Sequence, residues 1–261
     1  MDWERAAEQN RRAWEEIADL RSRSFADSTI PASLFASGES ILDPRVVAAA
    51  GDVRGAQLLH LMCATGEESL SWATLGAKVT GVDFSVTSIA LAREKADAAG
   101  LEVEFVESDI GALHPAMLAS DYDLVYMASG VLVWIPEIDR WAATVAATLR
   151  RGGRLLLWEE HPISMVLWGR GPNIEVVANY FRRANPETST GWNHFEGGED
   201  ASETKFEFGW GLGDVVNALI GNGLRIERLD EYPSDSTWRF GDAFDTARNL
   251  PGLVLLTARK E

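Results

Sequence analysis

The stretch Leu58-Leu59-His60-Leu61-Met62-Cys63-Ala64-Thr65-Gly66-Glu67 is an apolar run that breaks at a turn of small residues and continues into a helical pattern. Val79-Thr80-Gly81-Val82-Asp83-Phe84-Ser85 is a second apolar run, and it ends on a carboxylate. Both read as buried strands of a parallel sheet, too short to be core helices. Backbone at Ala64 to Gly66 can approach a ligand closely, and Asp83 can accept two hydrogen bonds from a ribose diol. A glycine in a first strand-to-helix turn is common to α/β proteins in general. The acid at the tip of the next strand turns the pair towards nucleoside binding.

Outward from these runs, strand and helix alternate. The pattern predicts strand 57–62, helix 67–76, strand 78–83 and helix 86–99 closed by Gly100, then strands 102–106 and 122–127, helix 137–150 and strand 154–159. Residues 1–22 have Trp3, Ala7, Trp14, Ile17 and Leu20 at near-helical spacing, and a looser stretch follows. From 163 to 210 the pattern lapses and aromatic residues accumulate, and Glu187 to Glu203 reads as a mobile loop. Helix 211–222 and strands 224–231 and 252–259 complete the chain. The result is a mainly parallel sheet with helices on both faces.

The chain has 261 residues, enough for one large α/β domain. Its single cysteine, Cys63, fits a reducing cytoplasm, and neither a secretion signal nor an apolar membrane span is read. A net charge of −16 repels phosphate backbones, so nucleic acid is not an expected partner. Four scattered histidines and one cysteine offer no metal cluster. The expectation is a protein acting on a small molecule, without a membrane and as a monomer or homodimer.

Over residues 55–162, with an echo at 209–232, the chain resembles the class I S-adenosylmethionine-dependent methyltransferases. Within them it is similar to a bacterial small-molecule branch. Leu58 to Cys63, Val79 to Ser85, Trp134-Ile135-Pro136, Leu149 to Gly153 and Glu159-Glu160-His161-Pro162 carry the likeness. The family's first motif is an acid followed by alternating glycines. Here His60 stands in place of the acid, Met62 and Ala64 replace two glycines, and Gly66 remains. The resemblance implies a Rossmann-like methyltransferase fold with a seven-stranded sheet, S-adenosylmethionine as cofactor and a role in secondary metabolism. It divides the single domain into an N-terminal helical lid (1–50), a cofactor-binding core (55–162), an inserted substrate cap (163–210) and a sheet completion (211–261).

The same resemblance supplies candidate residues. Asp83 would bind the ribose, with Phe84 beside it. Asp109, after Ser108, would accept from the adenine amino group while Ile110 presents its backbone N–H. Met127, Ala128 and Ser129 would leave room beside the sulfonium. A sulfonium favours aromatic faces, which Trp14 or Trp134 can supply, and core packing is the competing role for both. Glu160 and His161, after the fifth strand, are candidate bases, and His161 needs no tuning near its usual pKa of about 6.5. Strand alternation sends Glu159 and Glu160 to opposite faces. Trp168, Trp192 and His194 in the cap would wall a flat, apolar acceptor, or else form the cap's own small core.

The expected activity is in-line methyl transfer to a small, aromatic or apolar metabolite. Cofactor binding without transfer, as in a pericyclase-like or regulatory protein, is the alternative reading. An NAD(P)-dependent oxidoreductase is the third, and it lacks its Gly-x-Gly-x-x-Gly turn here.

Overall fold

The computed structural model describes residues 2–24, 30–118, 122–128, 130–192 and 198–261. Charged residues interleaved with Trp3, Ala6, Ala13 and Ile17 make helix α1 (Trp3–Ser24), which buries those four along one face. Helices α2 (Ala32–Ala36) and α3 (Pro44–Ala50) follow, where the sequence pattern suggested only irregular chain. Buried Phe35 anchors the first. Pro44 at the first helical position and the Asp43 carboxylate, which accepts from the Arg45 N–H, start the second.

The core then runs β1 (Gln57–Leu61), α4 (Glu67–Thr74), β2 (Lys78–Asp83), α5 (Val86–Ala99), β3 (Val103–Glu107), α6 (Pro115–Leu118), β4 (Tyr122–Met127), α7 (Ile138–Thr148) and β5 (Leu149–Glu160). Ser85 caps α5 through its hydroxyl and Gly100 closes it in the left-handed region. The expected helix 137–150 ends two residues early, because Leu149 and Arg150 already belong to β5.

The cap holds two antiparallel hairpins: β6 (Leu167–Arg170) with β7 (Asn173–Val176), and β8 (Arg183–Ser189) with β9 (Lys205–Gly209). The reading of 187–203 as a loop is therefore corrected at its start, which is ladder-paired strand. The β8 sequence Arg-Ala-Asn-Pro-Glu-Thr-Ser is polar on both faces, and its proline interrupts the register, so alternation gave no signal. The chain ends with α8 (Leu212–Gly221), β10 (Leu224–Pro233), α9 (Thr237–Phe240), α10 (Phe244–Ala247) and β11 (Pro251–Lys260).

Seven strands form one sheet in the order β10-β11-β5-β4-β1-β2-β3. Six of the strands point the same way and β11 alone runs in the opposite direction. Successive residues pack on opposite faces. Leu59, Leu61, Val125 and Leu157 meet Trp141 of α7 and Leu219 of α8, whereas Leu58, Leu124 and Leu156 meet Val46 of α3 and Trp72 of α4. Chain order reverses between β1 and β4, which opens a crevice at the carboxyl ends of those strands, where open α/β sheets place ligands.

Helix α1 bridges the sheet and the cap over that crevice. Glu15 accepts from the Val86 and Thr87 N–H groups at the start of α5, a favourable place for a carboxylate. On the cap side, Asn10 and Phe206 exchange two hydrogen bonds, and Glu16 accepts from the Ser202 and Glu203 backbone. No helix among the described residues is long and apolar enough to cross a membrane.

Candidate active site

The turn leaving β1 keeps a glycine-like path without its glycines. Met62 and Ala64 both adopt positive φ, at 59° and 47°, and Gly66 follows at 84°. An L side chain in that region costs about 1–2 kcal/mol, so surrounding structure must hold the turn. Asp83 does so: one carboxylate oxygen accepts from the Ala64 N–H at 2.9 Å and the other from the Ser85 N–H at 2.9 Å. Each oxygen retains a lone pair. Burial raises the Asp83 pKa to about 6, against those two backbone bonds. Gly66 has a packing role instead, since a Cβ there would lie 2.7 Å from the Phe105 ring and 2.8 Å from Ala92.

A cavity of about 440 Å³ opens beside this turn, lined by His60, Met62, Ala64, Asp83, Phe84 and Ala128, with Trp14, Gly130 and Trp134 at one end. Its charge is the informative property. Glu67, Glu68 and Asp83 all line it, and no lysine or arginine does among the described residues. His60 adds no positive charge: its Nδ1 lies 2.8 Å from Ser69 Oγ, and burial pushes its pKa down to about 3. Glu67 is paired with Lys95 of α5.

Glu68 is the residue that sequence reasoning missed. Its carboxylate stands 4.0 Å from His60 Nε2, and burial lifts its pKa to about 7, opposed by the nearby Tyr126 hydroxyl. Two adjacent acids opening a helix, directly after a strand whose own acid is missing, were the available signal.

Ser108, Asp109 and Ile110 line a smaller adjoining space of about 30 Å³, with Trp3, Phe84 and Trp134. The expected adenine acceptor is already engaged here. Trp3 Nε1 donates to both Asp109 oxygens, at 3.0 and 2.9 Å, and the Gly111 N–H donates to one of them at 2.8 Å. Gly111 makes the room, because a Cβ on it would lie 2.1 Å from the indole. Arg140 stacks 5.0 Å from the ring and bonds the Gly111 carbonyl.

A second cavity, about 530 Å³, adjoins the first and shares Trp14, Gly130 and Trp134 with it. Trp168 and Glu160 line it, and so do Arg182, Lys205 and Arg239. Glu160 pairs with Arg239 Nη2 at 2.9 Å, and burial raises its pKa.

The neighbouring Glu159 is a structural acceptor. Its oxygens take the N–H groups of Gly130, Val131, Leu132 and Glu160, and burial still raises its pKa to about 7. Two expectations fail on direction. His161 turns towards β10, where Nε2 meets Glu231 Oε1 at 2.9 Å and Nδ1 accepts from the Ile163 N–H, so it lines neither cavity. Met127 faces the core and takes the Trp141 indole N–H on its sulfur. Trp192 is also absent from both walls. It is fully buried behind them, 4.5 Å from Trp14 and 5.4 Å from Trp134 between ring centroids. Ser129 and His194 lie outside the described residues.

The strand order, with one antiparallel strand between β5 and β10, and an anionic crevice at the β1–β4 switch define a Rossmann-like methyltransferase fold. The family described as "Methyltransferase domain" matches residues 58–153. A solved S-adenosylmethionine-dependent methyltransferase from Mesorhizobium loti superposes with a TM-score of 0.62 at 25% identity, covering 83% of this chain and 96% of that one. The demethylmenaquinone methyltransferase of Thermus thermophilus is 33% identical over 132 residues, 50% of this chain and 56% of its own length. An uncharacterized protein of Mycobacterium tuberculosis is 33% identical over 114 residues, 44% of this chain and 40% of its own. The chain thus spans about half or less of the length of these curated relatives. Residues 58–153 match a methyltransferase-domain family, and the fold as a whole is similar to that of S-adenosylmethionine-dependent methyltransferases.

Proposed function

We propose that the protein transfers a methyl group from S-adenosylmethionine to a small acceptor held in the second cavity. One observation carries this reading: a cavity lined by three carboxylates and, among the described residues, no lysine or arginine joins a second, aromatic-walled cavity across Trp14, Gly130 and Trp134. S-Adenosylmethionine fits the first cavity by net charge, since its sulfonium and ammonium outnumber its single carboxylate. A nicotinamide dinucleotide would bring a pyrophosphate to Glu67, Glu68 and Asp83 with no counter-charge, so the oxidoreductase reading is disfavoured.

In this reading Asp83 holds the ribose with its remaining lone pairs and Glu68 faces the ammonium. Neutral His60 accompanies them without repelling a cation. Phe84 and Ile110 flank the adenine, and Trp3 closes that end, with Asp109 holding Trp3 rather than the base. When bound, the cofactor supplies an activated methyl group.

The protein's own part is alignment and exclusion of water. Trp14 and Trp134, with ring centroids 5.5 Å apart, form an aromatic wall where the cavities meet, the environment a cationic sulfur prefers. Among the carboxylates that line the second cavity, Glu160 is our candidate to take a proton from an acceptor, and burial raises its pKa towards neutral pH.

Labelled-methyl cofactor incubated with small-molecule extracts tests the reading. Labelled product together with an equal amount of S-adenosylhomocysteine is expected. Tight cofactor binding with no S-adenosylhomocysteine from any extract would contradict transfer and favour a binding-only role.

A further inference from the structure

The second cavity is walled by tryptophans, and its wall also carries charge in equal and opposite amounts. Among the described residues three cations line it, Arg182, Lys205 and Arg239, and three carboxylates, Glu160, Glu187 and Glu207. The cations are only 8, 6 and 7% exposed. Side chains of that kind are almost never buried so deeply unless they are paired, and here each has its own carboxylate. Arg182 Nη1 meets Glu187 at 2.7 Å, Lys205 meets Glu207 at 3.7 Å and Arg239 Nη2 meets Glu160 at 2.9 Å.

Further contacts hold the three cations in place. Arg182 donates from Nη2 to the Phe208 carbonyl at 3.2 Å. The Lys205 ammonium donates to the Gly191 carbonyl at 2.8 Å and lies 4.5 Å from the Trp192 ring centroid. Arg239 also lies against two indoles, with the Trp168 and Trp238 centroids 5.7 and 4.7 Å from its central carbon. The guanidinium and ammonium groups are thus engaged by the protein itself, and the described wall is neutral as a whole. The first cavity is built the other way, with Glu67, Glu68 and Asp83 on its wall and no lysine or arginine among the described residues. One cavity presents uncompensated charge, and the other cancels charge pair by pair.

We propose, resting on the acceptor reading of this cavity, that the acceptor is an uncharged molecule with a flat apolar body, and that Glu187 and Glu207 select it by cancelling the charges of Arg182 and Lys205. Trp134, Trp168 and Trp238 offer the faces for the body. An ion entering the cavity would leave its hydration behind and find every counter-charge on the described wall already taken, whereas an uncharged head gives up far less. Selection of this kind needs no contact with the guanidinium groups. A charge cancelled or uncovered in a wall of low dielectric acts across the cavity.

Calorimetric titration at neutral pH with 2-naphthol, 2-naphthoate and 2-naphthylmethylammonium, one body with a neutral, an anionic and a cationic head, decides the point. S-Adenosylhomocysteine is titrated into the same samples. Wild-type protein should bind the alcohol at least ten-fold more tightly than either ion. Glu187→Gln and Glu207→Gln, each of which uncovers a buried cation, should tighten naphthoate binding at least five-fold, with the alcohol and S-adenosylhomocysteine changed less than two-fold. A wild type that binds either ion as tightly as the alcohol, or none of the three at millimolar concentration, overturns the proposal, and so does naphthoate binding that neither variant changes. The wild-type results do not depend on whether the variants fold. Preference for the alcohol without S-adenosylhomocysteine binding would sustain the uncharged site and overturn only the cofactor reading beneath it.

Discussion

Glu68 and His60 set the charge at the turn that leaves β1. The strand tip carries a neutral imidazole, and a carboxylate in the first turn of α4 stands 4.0 Å from it. A carboxylate with its pKa raised to about 7 by burial is partly protonated at neutral pH, and a cationic ligand stabilises only its charged form. Cofactor affinity should therefore rise between pH 6 and pH 8, with proton release on binding near pH 7. Calorimetry in buffers of different ionisation enthalpy measures that release. Glu68→Gln should weaken S-adenosylmethionine about ten-fold, roughly 1.4 kcal/mol, and flatten the pH dependence. A variant that binds as wild type and keeps the pH slope would show that Glu68 does not face the ammonium. At the same turn, Ala64 stands at φ 47°. Ala64→Gly should stabilise the protein by about 1 kcal/mol through relief of strain, read as a shift in denaturant midpoint at constant m.

Helix α1 is the element on which both cavities depend. It contributes Trp14 to the junction and seats Trp3 on Asp109, so its docking is coupled to cofactor access. Trp3→Ala should cost about 3 kcal/mol as a large-to-small core change and expose α1 to limited proteolysis. Gly111→Val should give the same proteolytic pattern, because the added side chain occupies the indole's place. An α1 that stays protected in both variants would mean that Glu15 and Asn10 anchor it without Trp3.

The elements were legible in the sequence wherever burial wrote a pattern. Strand 122–127, strand 78–83 and helix 86–99 agree with the structure to the residue, because each is an apolar run or a capped helix. What was not legible depends on where side chains turn. His161 and Glu160 are adjacent at the end of β5, yet one faces β10 and the other the cavity, and sequence does not record the bend between them. The role of Asp109 changed because Trp3, more than a hundred positions away, reaches its carboxylate. Arg182 and Arg239 carried no sequence signal at all. Each is a lone arginine until the hairpins and α9 bring both to one wall.

Across the whole molecule, the half-buried carboxylate of Glu68 and the buried ones of Asp83 and Glu159 share one consequence. All have pKa values raised by burial, to about 7, 6 and 7, so the folded state holds protons that the unfolded chain releases. The stability they contribute is present below the unfolded-state pKa, near 4, and is lost as pH rises through the folded values. Urea denaturation should accordingly show lower stability at pH 8 than at pH 5.5, by on the order of 1–3 kcal/mol. Glu159→Gln, which keeps an acceptor for the Gly130–Leu132 backbone but no titration, should reduce that difference. An unchanged slope would place the responsible group elsewhere.

The central claim is that the anionic crevice at the β1–β4 switch binds S-adenosylmethionine through Asp83. Calorimetric titration of the purified protein with S-adenosylmethionine and S-adenosylhomocysteine, with Asp83→Ala alongside and NADH as control, tests it most directly. The structure predicts micromolar binding of both adenosyl compounds, loss of at least ten-fold in the variant and no heat from NADH. A folded wild type that binds neither adenosyl compound, or that binds NADH instead, would contradict the account.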